Sequence, residues 1–235
     1  MISVCIATYN GEKFIEQQIR SIINQLEAGD EIIVSDNDSI DSTINTIKSI
    51  DDKRIKIVKG PEKKSPTSNF ENALMHAKGE YIFLSDQDDV WKDNKVSTCM
   101  QWLRQYDCVI SDAEMNDENL NIIEKSYYKV HSTKSSFLYN LLVKNGYMGC
   151  CMAFRKSVLE AALPFPKEIP MHDIWIGNIA ACKFKVKFIP DKLIMFRCHG
   201  NNSSFTALNK SGNSLFKMFM IRWTIIRLLI KNALS

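Results

Sequence analysis

Gly79-Glu80-Tyr81-Ile82-Phe83-Leu84-Ser85-Asp86-Gln87-Asp88-Asp89-Val90-Trp91 joins an uninterrupted apolar run to a cluster of three aspartates. A strand that is apolar at every position has both faces buried, as in a parallel sheet covered by helices. Three similar runs precede it, Ile2 to Ala7, Glu31 to Ser35 and Ile55 to Val58. Between them lie segments with helical spacing. Glu12 to Leu26 repeats apolar residues at Phe14, Ile15, Ile19, Ile22, Ile23 and Leu26, and Ser42 to Ile50 and Ser68 to Ala77 follow suit. Alternation at this pitch predicts βαβ units and a mostly parallel α/β sheet with helices on both faces.

Beyond Trp91 the pattern loosens. Lys92 to Tyr106 reads as helix, Cys108 to Ser111 as strand, and Glu114 to Ser136 as a long polar stretch. A helix over Phe137 to Lys144, a strand at Met152 to Phe154 and a helix over Lys156 to Leu163 follow. Pro164, Pro166 and Pro170 break the chain before a helix over Asp173 to Cys182, and Val186 to Ile189 and Leu193 to Phe196 read as two short strands.

The 235 residues, 45% apolar and 24% charged, are those of an ordinary globular chain, which excludes disorder and collagen-like repeats. The seven cysteines are odd in number, with no CxxC pair and no zinc-site spacing, so reduced thiols and a cytoplasmic location are expected. The first eight residues lack the basic and cleavage regions of a signal peptide, and no run has the roughly 18 uninterrupted apolar residues of a membrane span. The net charge of +3 divides unevenly: residues 200–235 hold five basic and no acidic residues, which leaves the rest at −2. Lys217, Thr224, Arg227 and Lys231 fall in one sector of about 80° on a helical wheel, with mostly apolar residues opposite and Arg222 as the exception. Such a helix suits an anionic membrane surface or a docking face on the core or on a second subunit. The expected division is therefore a catalytic unit over 1–205 and a basic amphipathic helix over 206–235.

Open α/β sheets bind ligands at the carboxyl ends of their strands. Three such ends, Thr8-Tyr9-Asn10-Gly11-Glu12, Asp36-Asn37-Asp38-Ser39 and Asp86-Gln87-Asp88-Asp89, face one crevice. Neither GxGxxG nor GxxxxGK[ST] occurs, so a dinucleotide fold and a P-loop lose their main support. Carboxylates without such a loop can still hold a diphosphate through Mg²⁺ or Mn²⁺, although an acidic strand-end turn standing alone is more often a solvated loop.

These three strand ends, with Gly149-Cys150-Cys151-Met152-Ala153-Phe154-Arg155, Met171-His172-Asp173 and Phe196-Arg197-Cys198-His199-Gly200-Asn201-Asn202, resemble family 2 glycosyltransferases of the GT-A fold, in that family's order over residues 1 to 203. The Asp-Gln-Asp-Asp-Val-Trp and Arg-x-His-Gly-Asn-Asn blocks resemble a bacterial subgroup often described as rhamnosyltransferases. The resemblance implies an inverting, metal-dependent (manganese or magnesium) transfer of a sugar from dTDP-rhamnose or a UDP-hexose. The acceptor would be a glycan hydroxyl, lipid-linked through undecaprenyl diphosphate, in O-antigen or capsule-type polysaccharide synthesis at the inner face of the plasma membrane.

It also implies roles. Thr8, Tyr9, Asn10, Glu12, Asp36, Asn37, Asn69, Asp86 and Gln87 would bind the nucleotide, Asn37 standing where the family usually has a second aspartate. Asp88 and His199 would hold the metal. Asp89, Trp91, Cys150, Arg155, His172 and Trp175 would shape the donor-sugar and acceptor pocket, and Asp173 would be the base. Plainer alternatives exist: Asp36 to Ser39 as a helix-capping turn, Asn69 and Asp173 as caps, the tryptophans as core. Other classes are a sugar-phosphate nucleotidyltransferase, which lacks its glycine-rich loop here, and an inactive homologue that binds nucleotide or membrane within an assembly. Nucleic-acid binding has only the tail's charge behind it and is not expected.

Overall fold

The structure, a computed structural model, describes residues 1–199 and 215–234, the side chains of 215, 216, 233 and 234 excepted. Gly200, Asn201 and Asn202 of the last motif, Lys210 and the expected boundary at 205/206 lie outside the described residues.

The first half follows the alternation of the sequence. Strands β1 (Ile2–Thr8), β2 (Glu31–Asp36), β3 (Ile55–Lys59) and β4 (Tyr81–Asp86) pair in parallel in the order β3-β2-β1-β4. Helices α1 (Ile15–Ile23), α2 (Thr43–Ser49) and α3 (Pro66–Met75) connect them. Ile15, Ile19 and Ile22 of α1 are fully buried, as their spacing requires. Helix α3 begins two residues before the expected start because Ser65 caps it, its Oγ accepting from the Ser68 N–H at 3.1 Å, with Pro66 in the first helical position.

The second half completes one sheet of nine strands among the described residues, and its pairing is mixed. The elements are β5 (Val90–Trp91), α4 (Lys95–Trp102), β6 (Cys108–Asn116), β7 (Ile122–Glu124), α5 (Tyr127–His131), α6 (Phe137–Leu142), β8 (Met152–Arg155), α7 (Lys156–Ala162), α8 (His172–Lys183) and β9 (Val186–Arg197). Strand β8 runs antiparallel between β4 and β6, while β9 lies parallel to β6 and antiparallel to β5. The parallel pairing expected for most of the sheet is found in β1–β4 and in the β6–β9 pair, and the remaining pairs are antiparallel.

Three features differ from the sequence pattern. Strand β6 runs on to Asn116, where a polar stretch was expected. Its polar Asp112 is buried but satisfied, accepting from Ser126 Oγ at 2.5 Å and the Tyr128 N–H at 2.9 Å. The two short strands expected after residue 186 are one strand, which passes Pro190 by shifting register against β6. The pair Val90–Trp91 is itself a strand on the edge beside β9.

Helix α9 (Leu215–Leu234) docks on the core through Ile225, Leu228 and Leu229, which are buried. Lys183 Nζ donates to the Asn232 carbonyl at 3.2 Å, and Arg227 pairs with Glu168 at 3.2 Å. On another face Phe219, Trp223 and Ile230 are more than half exposed. No helix of the described residues is long and apolar enough to cross a membrane. All seven cysteines are free thiols, six of them buried.

Candidate functional site

The strand register sets the crevice. Thr8 pairs with Asp36 and Ala7 with Asp86, so the three strand ends sit side by side. Gln87 ties two of them together. Its Oε1 accepts from Thr8 Oγ1 at 2.6 Å and the Tyr9 N–H at 2.9 Å, and its Nε2 donates to the Tyr9 carbonyl at 3.2 Å.

Several residues expected at the nucleotide hold the loops that frame the crevice. Asn10, at φ +48°, donates its N–H to Ser39 Oγ at 2.9 Å and accepts from the Ile40 N–H at 3.0 Å. Glu12 accepts the Ser42 N–H at 2.7 Å, at the start of α2. Both Asp36 oxygens accept from Ser39, through its N–H at 3.0 Å and its hydroxyl at 2.5 Å, which closes a turn but caps no helix, since α2 begins at Thr43, whose N–H goes to Asp41 Oδ1 at 3.0 Å. Asn69 is buried between strands, accepting from Ser35 Oγ at 2.6 Å and donating to the Thr8 carbonyl at 3.1 Å. Asn37 is different. Its Oδ1 is buried without a hydrogen-bond partner, an acceptor held ready for a donor that the protein does not supply. Tyr9 stands half exposed at the mouth.

The acidic turn after β4 is built by residues far away in sequence. Asp88 Oδ2 lies 2.9 Å from His199 Nε2, just beyond β9. The Phe14 ring stacks on the imidazole with centroids 5.1 Å apart. Arg197 braces the turn: its N–H donates to Asp89 Oδ1 at 3.0 Å and its Nε to the Asp88 carbonyl at 2.7 Å. The rest of the guanidinium reaches the Glu118 carbonyl and, at 2.8 Å, Gln17 Oε1, and it lies over the Phe14 ring. Nothing in composition or spacing marks Phe14 as a site residue, and Arg197, although it opens the Arg-x-His-Gly-Asn-Asn block, carries no sign of its bracing role. Neither does Lys95, fully buried, whose Nζ donates to the Cys150 carbonyl at 2.7 Å and lies over the Trp91 ring.

These cations do not balance the carboxylates. Burial, and then repulsion from Asp88 and Asp173, push the Asp86 carboxyl well above the usual range. Burial, Asp88 and Asp86 do the same to Asp89, which lies beneath the turn rather than in a pocket. The turn is therefore short of positive charge, and a divalent cation at Asp88 and His199 fits that deficit. A carboxylate oxygen with an imidazole nitrogen leaves most positions of a hard cation open to phosphate oxygens and water. A second cluster, Asp86, Asp89 and Cys150, suits such a cation poorly. Its thiol is held protonated by its bond with Cys151 and by burial, and sulfur is a soft donor.

Asp173 stands in the first turn of α8, with Met171 rather than Asp173 at the cap position. Burial lifts its carboxyl to about 6 against the pull of the Ile174 and Gly149 N–H groups. A carboxylate poised there can accept a proton near neutrality. His172 beside it is buried and stacks on Phe70 with ring centroids 3.9 Å apart. Neither imidazole nitrogen has a partner, and burial lowers the ring to about 3, so it is neutral. The turn Gly149–Cys151 passes directly against both residues. A Cβ on Gly149 would stand 2.8 Å from His172 Nε2, so a side chain there would displace the packed ring.

Three expected pocket residues are not brought together with these groups. Arg155 pairs with Tyr81, at the opposite end of β4 from Asp86, and donates to the Leu103 carbonyl at 2.5 Å. Trp91 is core, its ring tilted against Phe83. Trp175 is also buried and points away from Asp173, its Nε1 donating to the Ala162 carbonyl at 2.8 Å.

The model of glycosyl transferase family 2 matches residues 3–163. A curated relative, the UDP-Glc:alpha-D-GlcNAc-diphosphoundecaprenol beta-1,3-glucosyltransferase WfgD of Escherichia coli, is 29% identical over 71% of this chain. The match spans 64% of that relative, less than two thirds of its length. The dTDP-rhamnosyl transferase RfbG of Shigella flexneri is 27% identical over 84% of this chain and 72% of its own. Among solved structures, S. aureus TarS 1-349 in complex with UDP-GlcNAc superposes with a TM-score of 0.70 at 20% identity, covering all of this chain and 66% of that one.

Proposed function

This chain belongs to glycosyl transferase family 2, and from that premise we propose that it is an inverting, metal-assisted transferase. It moves a sugar from a pyrimidine nucleoside diphosphate to a hydroxyl of a lipid-linked glycan. One observation carries the reading: the turn Gly149–Cys151 lies against Asp173 at its start, while Cys150 within it has its sulfur within 4.8 Å of carboxylate oxygens of Asp86 and Asp89. The diphosphate-binding carboxylate and the proton-accepting one thus share a single crevice.

The roles divide accordingly. The Asn37 Oδ1 accepts the N3–H of the base, with Tyr9 at the mouth beside it. Asp88 and His199 would hold a divalent cation, which when bound would supply Lewis-acid stabilisation of the negative charge on the diphosphate. Asp173 takes the proton of the acceptor hydroxyl as its oxygen bonds to the anomeric carbon and the bond to the diphosphate breaks. One such displacement inverts the configuration. The neutral His172 closes the floor under Asp173 and keeps its carboxyl desolvated.

WfgD is named for UDP-glucose and RfbG for a dTDP sugar, and both bases present the N3–H that Asn37 would read. Calorimetric titration of UDP and dTDP, each with Mn²⁺ and with EDTA, tests the proposal. Metal-dependent binding of one of them is expected. Failure of both to bind in either condition overturns the reading and brings forward an inactive homologue.

The acceptor of WfgD is carried on diphosphoundecaprenol, which favours a membrane-bound substrate here. The exposed Phe219, Trp223 and Ile230, flanked by Lys217, Arg227 and Lys231, form the surface we assign to the lipid headgroup region. Deleting α9 would also remove core residues Ile225, Leu228 and Leu229, so point substitutions test this better. Phe219→Asp with Trp223→Asp should lower binding to phosphatidylglycerol vesicles at least about tenfold without lowering Tm. Unchanged binding would remove the membrane role.

A further inference from the structure

Behind α8, on the side away from Asp173, a groove of about 530 Å³ opens between the 164–168 loop and α9. Its lining joins two chemistries. Pro164 and Pro166 line its apolar side over a floor of the buried Phe165, Trp175 and Leu228, and Lys167, Arg227 and Lys231 supply three cations. One carboxylate, Glu168, faces them and is taken by Arg227 at 3.2 Å. Lys167 and Lys231 have no acidic partner among the described residues. Apolar lining beside unspent positive charge matches a ligand that is anionic at one point and hydrocarbon next to it.

The position narrows the ligand further. On α9 the cations Arg227 and Lys231 lie between the core-docked face, which ends at Leu228, and the exposed stripe of Phe219, Trp223 and Ile230. With that stripe at a lipid surface, the groove opens at headgroup depth. Trp175 in the groove and Asp173 at the crevice share the first turns of α8, so the two sites are separated by about one helix diameter, roughly 10 Å.

We infer that this groove binds the diphosphate and first isoprene units of a polyprenyl-diphosphate-linked acceptor, whose glycan passes round the start of α8 to present its hydroxyl to Asp173. The inference rests on the glycosyltransferase reading and adds to it the place where the acceptor's lipid end is held. A glycan of more than one sugar suits the separation between the two sites.

Farnesyl diphosphate is the probe, titrated calorimetrically into the full chain with UDP and Mn²⁺ saturating, so that the donor crevice is already filled. Lys167→Gln combined with Arg227→Gln and Lys231→Gln should raise its Kd at least about tenfold, with UDP binding and Tm unchanged. The charge-conserving Lys167→Arg, Arg227→Lys, Lys231→Arg protein should retain binding. Glu168→Gln, which removes the competing carboxylate, should tighten it, a change opposite in sign to structural damage. Equal binding by the triple Gln variant, or equal binding of farnesol, overturns the inference. So does a defect seen with phosphatidylglycerol vesicles and absent with farnesyl diphosphate. If UDP fails to bind the native protein, it is the donor reading that falls, and farnesyl diphosphate titrated alone still decides the groove.

Discussion

Asp173→Asn should leave UDP or dTDP affinity unchanged and reduce sugar transfer by roughly 10² to 10⁴, the usual worth of a positioned general base. The amide keeps the shape of the carboxylate and can still accept the Ile174 N–H, which Asp173 Oδ1 now takes at 2.7 Å. It cannot take a proton. The native enzyme should show an acid limb in kcat/KM with an apparent pKa of about 6, because the carboxylate is protonated below that point. Stability should move in the other direction. Folding raises this group above its unfolded value, so between roughly pH 4 and pH 6 the folded chain binds more protons than the unfolded one. Its contribution therefore falls as pH rises through that window and stays lost above it. Asp173→Asn should thus hold or raise Tm at pH 8 while transfer collapses. Normal turnover, or a loss of activity accompanied by a lower Tm, would count against the base assignment.

Asp88→Asn should erase the gain in nucleotide binding that Mn²⁺ confers, a change of about a hundredfold in Kd, or roughly 3 kcal/mol. In EDTA the variant and the native protein should bind alike. The reason lies in the pair itself: Asp88 Oδ2 faces His199 Nε2 at 2.9 Å in a turn already crowded with carboxylates. The amide removes one negative charge and a hard oxygen donor while leaving the Arg197 bond to the Asp88 carbonyl in place. His199→Gln should give a smaller loss of the same kind. Calorimetry with and without metal separates these outcomes, and a variant that retains its Mn²⁺ dependence would displace Asp88 from the role.

The sequence discloses what local patterning controls. Strands β1, β2 and β4 are buried on both faces, so each appears as an apolar run, the edge strand β3 interrupts its run with the exposed Lys56, and α1 shows its buried stripe at Ile15, Ile19 and Ile22. The carboxyl ends of those strands carry the polar residues of the crevice, so position alone puts Asn37, Asp86 and Asp88 there, while the roles proposed for them rest on the family resemblance. Tertiary compensation hides the rest. The end of β6 looks like loop because Asp112 is polar, and it is strand because Ser126 and Tyr128 satisfy it. The brace at Arg197 is invisible because its partners at 17, 88, 89 and 118 meet only in the folded chain. Arg155 misleads for the converse reason. The antiparallel return of β8 carries the end of its motif to the floor of the sheet, away from the crevice that its beginning, Gly149, helps to form.

Asp88 and His199 are separated by 111 residues, and the chain between them forms β5 to β9. Their meeting closes one of the longest loops in the molecule, and contacts of that kind are slow to form and late to be rewarded. The site is therefore an outcome of completed folding rather than a nucleus for it. A nascent chain that has folded only its β1–β4 half presents the acidic turn without its imidazole and without the Arg197 brace. On the proposed reading, such an intermediate lacks the Asp88–His199 pair that would hold the cation, so transfer would have to wait until the last strand is in place.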